Sequence, residues 1–528
     1  MGDTTFTIQN NFIIIKDFLK RWKAVFLSTF IFGLFSHGYA MANYLPTYDS
    51  ILNTNSVGAT YSSGRWFLKA VGNLFSSSSI PWVNGLISLL FIALTVILIL
   101  KMFDIKDTFS AVLTSALFVT FPTIVSTFSF IFTADCYMIA FFLSVLGVYL
   151  CYQYPKFGFI FGALPICLSI AVYQSYLSVS IICVVILFIK DLFTTEIDFK
   201  GSIKKYWKYV ASVFLGLILY EIVSKIVLHF MAAELSGYQG IGKTGLLSFS
   251  ELVKAVGMNI VSILDIFGIE LFEIEGRPLR IGFYSVLNIV IFVFLFIFTV
   301  ISIKKSKIYK KPVNMILLIV SYIMLPVSVC LFRYFTPDVK YSAIMEMSAC
   351  FFYFMIVLFI VNYVSDKKYI NVLKSLAVLT LCLVVFYNAI NANVNYYNMQ
   401  LRYNRTIAIA SDVIDDVCDT DGYKSTDKVA VIGAGLNLTD EQYNNNNTLP
   451  YIRGSENSQT VLITQHHYIT FWNEFLGIKV NSATFDEACN VSQSEEFKEM
   501  PCYPQDGYVK RIDGIIVVKL SENGVNYS

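Results

Sequence analysis

For most of its length the chain carries apolar runs of about 20 residues separated by short polar stretches, the run length a helix needs to cross the roughly 30 Å hydrocarbon core of a bilayer at 1.5 Å per residue. On that rule the pattern predicts about eleven transmembrane helices, near 22–41, 83–101, 109–128, 134–152, 156–173, 177–193, 209–231, 281–303, 312–332, 341–364 and 370–390. The pair near 156–193 has a second reading that contains a re-entrant segment. After about 391 the chain turns polar, rich in Asn, Asp and Ser. There Asn395–Val417 reads as a helix, Lys428–Gly433 as a strand, Val461–Phe475 as an apolar-aromatic stretch and Gly514–Leu520 as a closing strand. The expected architecture is a polytopic α-helical membrane domain over 1–390 followed by a small α/β domain over 391–528.

Charge placement then gives the orientation. Lys and Arg cluster at Lys16, Lys20, Arg21 and Lys23; at Lys101 and Lys106; at Lys156; at Lys190, Lys200, Lys204, Lys205 and Lys208; at Lys304, Lys305, Lys307, Lys310 and Lys311; and at Lys367, Lys368 and Lys374. With eleven spans every cluster falls on one side, which the positive-inside rule makes cytoplasmic. The N-terminus is then inside and the C-terminus outside, leaving outer segments at about 42–82, 232–280, 333–340 and 391–528.

Composition agrees with lipid as the solvent: 56% hydrophobic and 14% charged, with a mean hydropathy of +0.62, against roughly 45–50% and about 25% in ordinary globular chains. A formal net charge of +2 argues against nucleic acid as a partner, since such binding neutralises many phosphates at once. The ten cysteines show no CxxC or Cys/His ligand spacing, and Cys151 and Cys183 lie inside apolar runs as small hydrophobes, so no metal site is expected. Cys489 and Cys502 fall in the outer tail, as a disulfide or as two thiols. The basic stretch Met1–Lys20 precedes an apolar run without a small-residue cleavage site, which reads as a retained anchor.

Candidate chemistry lies on the outer segments. Asp49, in NYLPTYDS, is a carboxylate placed to take a proton from a sugar hydroxyl, and Arg65, in SSGRW, is placed to hold a phosphate. The plainer alternative is a solvated aspartate and an arginine stacked on Trp66 or anchored at the headgroups. Asp135, in TADCY, sits where an outer connection enters a span; the alternative is a helix cap after Thr133. Tyr173, Gln174 and Tyr176 form a polar-aromatic cluster suited to sugar, or to the interfacial aromatic belt. Arg333 opens RYFTPD, and Glu346 follows inside the next run; Arg333 is a phosphate ligand, a carboxylate partner or a snorkelling side chain. Gly237–Thr244, GYQGIGKT, fits the letters of a phosphate-loop pattern. It follows a membrane span and faces outward, without the strand and helix that mechanism needs, so an ATPase is not expected. IGAG at 432–435 is a weak glycine turn, and His37, His229, His466 and His467 show no ligand spacing.

These residues, in this order, resemble the Gtr type II glucosyltransferases of the GT-C superfamily: Asp49 followed by SGRW, then TADCY, YQSY at 173–176, GYQG at 237–240 and the closing MPCYPQDGYVKRIDGIIVVKL at 500–520. The resemblance implies a GT-C-like enzyme of the bacterial inner (cytoplasmic) membrane. It would move a hexose, glucose or another, from a polyprenyl phosphate donor to a surface glycan such as O-antigen on the outer face. It carries the outer-loop acid role over to Asp49 alone, with Asp135 supplying a second acid or none being needed; the transfer expected is inverting, with Asp49 as the base. Arg65 and Arg333, with Lys243, would hold the donor phosphate, and Tyr173, Gln174, Tyr238 and Gln239 the hexose. No cofactor is implied, because the lipid-linked sugar is itself a substrate; membrane lipid and the acceptor glycan are the other partners.

Three rivals stay open on sequence grounds. A glycan polymerase or ligase would use a pyrophosphate-linked oligosaccharide instead. A transporter or flippase calls for mid-membrane ionisable groups or a repeated half, neither of which is evident. A non-catalytic membrane protein with an exported binding domain would consume no donor.

Overall fold

The computed structural model describes residues 8–58, 61–75, 78–194, 198–235, 247–269, 282–335, 341–362, 367–434, 460–522 and 524. In chain order its helices begin with α1 (Ile8–Arg21), α2 (Lys23–Ala42), α3 (Tyr48–Leu52), α4 (Trp66–Phe75), α5 (Pro81–Phe103), α6 (Thr108–Thr120), α7 (Pro122–Ser129) and α8 (Ile131–Gln153). They continue with α9 (Gly158–Val172), α10 (Leu177–Thr194), α11 (Phe199–Phe230), α12 (Phe249–Ile266), α13 (Phe283–Ser306), α14 (Pro312–Val329), α15 (Phe351–Asn362) and α16 (Lys368–Cys418). Beyond these come β1 (Lys428–Ile432), α17 (Gln465–Thr470), β2 (Asn481–Ser482), α18 (Phe485–Ser492), α19 (Glu495–Glu499), β3 (Val509–Ile512) and β4 (Ile515–Lys519). The chain divides into two compact units, Met1–Ala42 with Ala59–Asn393, and Asn43–Gly58 with Val394–Ser528.

The first unit is a membrane bundle. Among the described residues eight helices are long and apolar enough to span: α2, α5, α8, α10 with the turn before it, α11, α13, α14 and α16. The α6–α7 pair, bent by 45°, makes a ninth if it counts as one span. The break falls at Phe121, whose ψ of 142° is extended, because proline at 122 excludes its predecessor from the helical region. The runs expected to span at 156–173 and 341–364 fold differently. They become α9, 15 residues long, and a 3-10 turn at Met347–Cys350 leading into the 12-residue α15. At 1.5 Å per residue α9 covers roughly 22 Å, less than the hydrocarbon core. What shortens these elements is backbone geometry: Tyr173 ends α9 in an extended conformation, and Glu346 separates two 3-10 turns.

Small residues set how closely α8, α9 and α11 approach, as expected where lipid removes the hydrophobic drive for helix association and packing must replace it. A Cβ added at Gly162 would collide with the Gly147 carbonyl, lie 2.6 Å from Cys151 Sγ and 2.7 Å from Ser212 Oγ. Gly38 on α2 has nothing within 4 Å of such an atom. Gly162→Ala should therefore destabilise the purified protein by about 1–3 kcal/mol through overpacking, whereas Gly38→Ala should leave it unchanged or slightly more stable. Thermal unfolding of the two variants in one detergent checks this; equal melting temperatures would refute the close-packing account.

The two ends of the bundle differ in chemistry. At one end Lys190 Nζ donates to the Met102 carbonyl at 3.2 Å, Lys205 pairs with Asp191 at 2.5 Å, and Lys101 lies near the rings of Trp22 and Tyr149. At the other end α8, α10 and α5 begin, α9 terminates, and Leu331 and Phe332 join an apolar cluster with Ile170, Leu177 and Tyr220.

The second unit is a small α/β fold. Its four-stranded sheet has the order β2-β1-β4-β3, with β1 parallel to β2 and β4, and β3 antiparallel to β4. Ile409, Val413, Ile414 and Val417 place one face of the α16 C-terminal half against β1 and β4. The span expected at 370–390 and the helix expected at 395–417 are one 51-residue helix, because INANVNYYN between them contains neither Gly nor Pro to break it. Gln465 bridges the strands: its Oε1 accepts from the Val431 amide at 3.0 Å and its Nε2 donates to the Ala483 carbonyl at 2.8 Å. Residues 43–58 are integral to this unit. Ile51 is fully enclosed in the core with Trp472 and Tyr468, a burial contributing about 1.5–3 kcal/mol, and Tyr44 stacks on Phe475. All ten cysteines are free thiols, Cys489 and Cys502 included.

Candidate functional site

In the first unit the SSGRW turn is held from several sides. Gly64 sits at a φ of +69°, where an L side chain is strained, and an added Cβ would strike the Tyr220 hydroxyl. That hydroxyl donates to the Gly64 carbonyl at 3.1 Å, and Gln174 Nε2 donates to the Ser63 carbonyl at 2.8 Å. Trp66 Nε1 donates to Ser224 Oγ at 3.1 Å. The turn is thus clamped to the α9–α10 junction and to α11, and Arg65 at its apex has little freedom. Its guanidinium carbon lies 4.7 Å from the centre of the Tyr173 ring, and Nη1 donates to the Tyr137 hydroxyl at 3.4 Å. Tyr137 and Tyr173 stack with centroids 4.6 Å apart. Arg65 therefore rests on Tyr173, not on Trp66, and remains half-buried.

Asp135 lies two residues before Tyr137, inside α8. It is not the helix cap: Phe130 occupies that position, and the Asp135 carboxylate is wholly enclosed, accepting from Asn84 Nδ2 at 3.3 Å. A carboxylate held within a span is costly and marks function more often than structure. Arg65, Asp135, Tyr173 and Gln174 thus gather at the end of the bundle opposite the lysines. Tyr173 is only 7% exposed and its ring is engaged by Arg65 and Tyr137, while Gln174 uses amide donors to hold the turn.

Arg333 occupies the same end. It is 4% exposed, donates from Nη2 to Ser262 Oγ at 3.1 Å and lies 4.9 Å from the centre of the Tyr341 ring. Glu346 is fully buried between 3-10 turns.

Asp49 belongs to the second unit. It is the second residue of α3, whose first turn is closed by reciprocal Thr47 and Ser50 contacts, and it stands between Tyr48 and the enclosed Ile51. The Tyr48 ring meets His467 edge-on at 6.4 Å. Burial, with neighbouring His466 acting the same way, pushes the His467 imidazole down to about 4, so it is neutral near pH 7. Its Nδ1 is 2.6 Å from Thr464 Oγ1. Tyr238, Gln239 and Lys243, with the GYQGIGKT segment, lie outside the described residues.

Sequence reasoning gave no role to Tyr137, Asn84, Tyr220 or Ser262, the residues that fix Arg65, Asp135 and Arg333. A signal existed for Asn84, a carboxamide inside an apolar run. Among the described residues no group of three His, Cys, Asp or Glu side chains is placed to share a metal ion.

The family model described as glucosyl transferase GtrII matches residues 38–362. The match takes in Asp49, the SSGRW turn, TADCY and YQSY, and stops short of the segment at 500–520 that entered the resemblance above. No curated protein and no solved structure matches the chain.

Proposed function

Because the chain belongs to the GtrII glucosyltransferase family, and is on that ground a membrane glycosyltransferase, we propose that it transfers a hexose, with glucose the expected one, from polyprenyl phosphate to a surface glycan such as O-antigen. The reaction is inverting. Asp49 removes the proton of the acceptor hydroxyl, the oxygen attacks the anomeric carbon, and the bond to the polyprenyl phosphate oxygen breaks with its electron pair. The observation that carries this reading is the clamped guanidinium of Arg65, a fixed cation at the lysine-poor end of a membrane bundle. It suits a leaving phosphate at headgroup level, where preorganised charge in a partly dry site outweighs the same charge in water. Arg333 and Lys243 add to that field. Tyr173 and Gln174 set the position of Arg65 and the floor of the hexose site, Tyr238 and Gln239 contact the sugar, and Asp135 orients the start of α8 through Asn84. No cofactor takes part.

The location proposed is the bacterial cytoplasmic membrane, with chemistry on its outer face. Taking the α6–α7 pair, α9 and α15 as crossings, the helices alternate so that Lys101, Lys190, Lys205, Lys304 and Lys368 share the inner side. The N-terminus is then cytoplasmic and the C-terminus extracytoplasmic.

Purified protein offered a panel of polyprenyl-phosphate monosaccharides should release free lipid phosphate with one of them, and only when acceptor glycan is present. Consumption of a pyrophosphate-linked oligosaccharide in place of every monosaccharide donor would replace this reading with a polymerase or ligase.

A further inference from the structure

The first unit contains a groove of about 700 Å³ between α12, α13 and α14, within the roughly 300–1,000 Å³ of ordinary ligand sites. Its floor includes Leu295 and Leu318, buried, and its rim Ile319 and Ile323, both at least half exposed along the bundle's flank. From Phe292 to Ile303 it follows α13 for roughly 16 Å at 1.5 Å per residue, so it lies along the membrane crossing and is open to hydrocarbon. Any such groove fills with some acyl chain. What distinguishes this one is its polar end, formed by Asn259 and Tyr334. Asn259 is 2% exposed, and its Oδ1 has no hydrogen-bond partner among the described residues. One turn along α12, Ser262 takes the Nη2 hydrogen bond of Arg333, the residue before Tyr334. The Arg333 Nε has no hydrogen-bond partner, and no carboxylate pairs with the guanidinium among the described residues. A buried cation without an anion is expensive, and an anion completes it.

We propose that this groove seats the isoprenoid chain of the donor and that Arg333 receives its phosphate. The inference rests on the polyprenyl donor argued above. One groove whose polar end, at Asn259 and Tyr334, adjoins one cation, Arg333, suits an amphiphile with a single chain; a phospholipid has two. Arg65 and Arg333 then divide the work: Arg333 anchors the phosphate where the chain emerges, and Arg65 meets the charge that develops as the sugar leaves.

The test uses the full chain in nanodiscs of phosphatidylethanolamine and phosphatidylglycerol, with a polyprenyl phosphate carrying a photoreactive group midway along the chain and no sugar. Labelled peptides should map to α12, α13 and α14, and unlabelled polyprenyl phosphate should compete. Ile319→Trp, which fills the groove without touching the polar end, should suppress labelling by occupying the chain's place, and Arg333→Gln should reduce it roughly tenfold, the loss expected for one charge-assisted contact. Melting temperatures confirm that each variant is folded. Labelling elsewhere, or competition by added phosphatidylglycerol as effective as by polyprenyl phosphate, overturns the assignment. Because the probe has no sugar, the readout is independent of turnover. Groove labelling in a protein that consumes no polyprenyl-phosphate sugar would sink the proposed reaction and leave the groove, while turnover with an unlabelled groove would do the reverse.

Discussion

Purified Asp49→Asn protein is expected to transfer hexose about 10²–10⁴-fold more slowly in kcat, the range over which a positioned general base acts, with its thermal unfolding unchanged. The substitution keeps the shape of the side chain and removes its charge and its capacity to accept a proton. It leaves alone what holds the segment: the Thr47 and Ser50 contacts that close α3, Ile51 in the core of the second unit, and Tyr44 against Phe475. A structural role for Asp49 would instead appear as lowered melting with proportionate loss of activity. Binding of polyprenyl phosphate should be unaffected, because the leaving phosphate meets arginines and not Asp49. Turnover at the wild-type rate would eliminate Asp49 as the base.

The parts legible in the sequence were those that depend on run length and local pattern. Apolar runs such as 83–101 and 281–303 became α5 and α13 because hydropathy over 20 residues is decided locally. Hydropathy does not register backbone geometry. It reads through Phe121–Pro122, where the helix bends, and through Tyr173 and Glu346, where the apolar runs form helices of only 15 and 12 residues. The tail strands at 428–433 and 514–520 were visible as β-branched runs, but the pairing of β1 with β4 and with the two-residue β2 depends on contacts far along the chain, while β3 joins β4 through the local Asp513-Gly514 turn. The candidate site was legible only as residue types. Asp49 stood out as the loop carboxylate, yet Ile51 beside it packs with Trp472, more than 400 positions away. Gln174 holds a carbonyl 111 positions earlier, and Arg65 reaches Tyr137 across 72. A tyrosine such as Tyr137 looks like one more interfacial aromatic until the chain folds and its hydroxyl accepts a hydrogen bond from the Arg65 guanidinium.

Arg65→Ala is expected to lower kcat/KM by about 10²–10³-fold, the cost of removing one preorganised group that stabilises transition-state charge. The phosphate gains charge only as the glycosidic bond breaks, so most of the loss should fall on kcat and less on the KM for the donor. Arg65→Lys retains the cation but not the plane that lies on Tyr173, nor the fork that can meet two phosphate oxygens while bonding Tyr137. It should fall between wild type and alanine. The competing explanation is that Arg65 merely packs the turn between α4 and α8. The remaining clamps bear on that: Gln174 to Ser63, Tyr220 to Gly64 and Trp66 to Ser224 all survive the substitution, so the turn should keep its shape and the protein its melting temperature. A packing role predicts that lysine and alanine lose activity in step with stability. An electrostatic role predicts an ordering of arginine over lysine over alanine in kcat at constant stability, and alanine variants with wild-type kcat would dismiss Arg65 from the reaction.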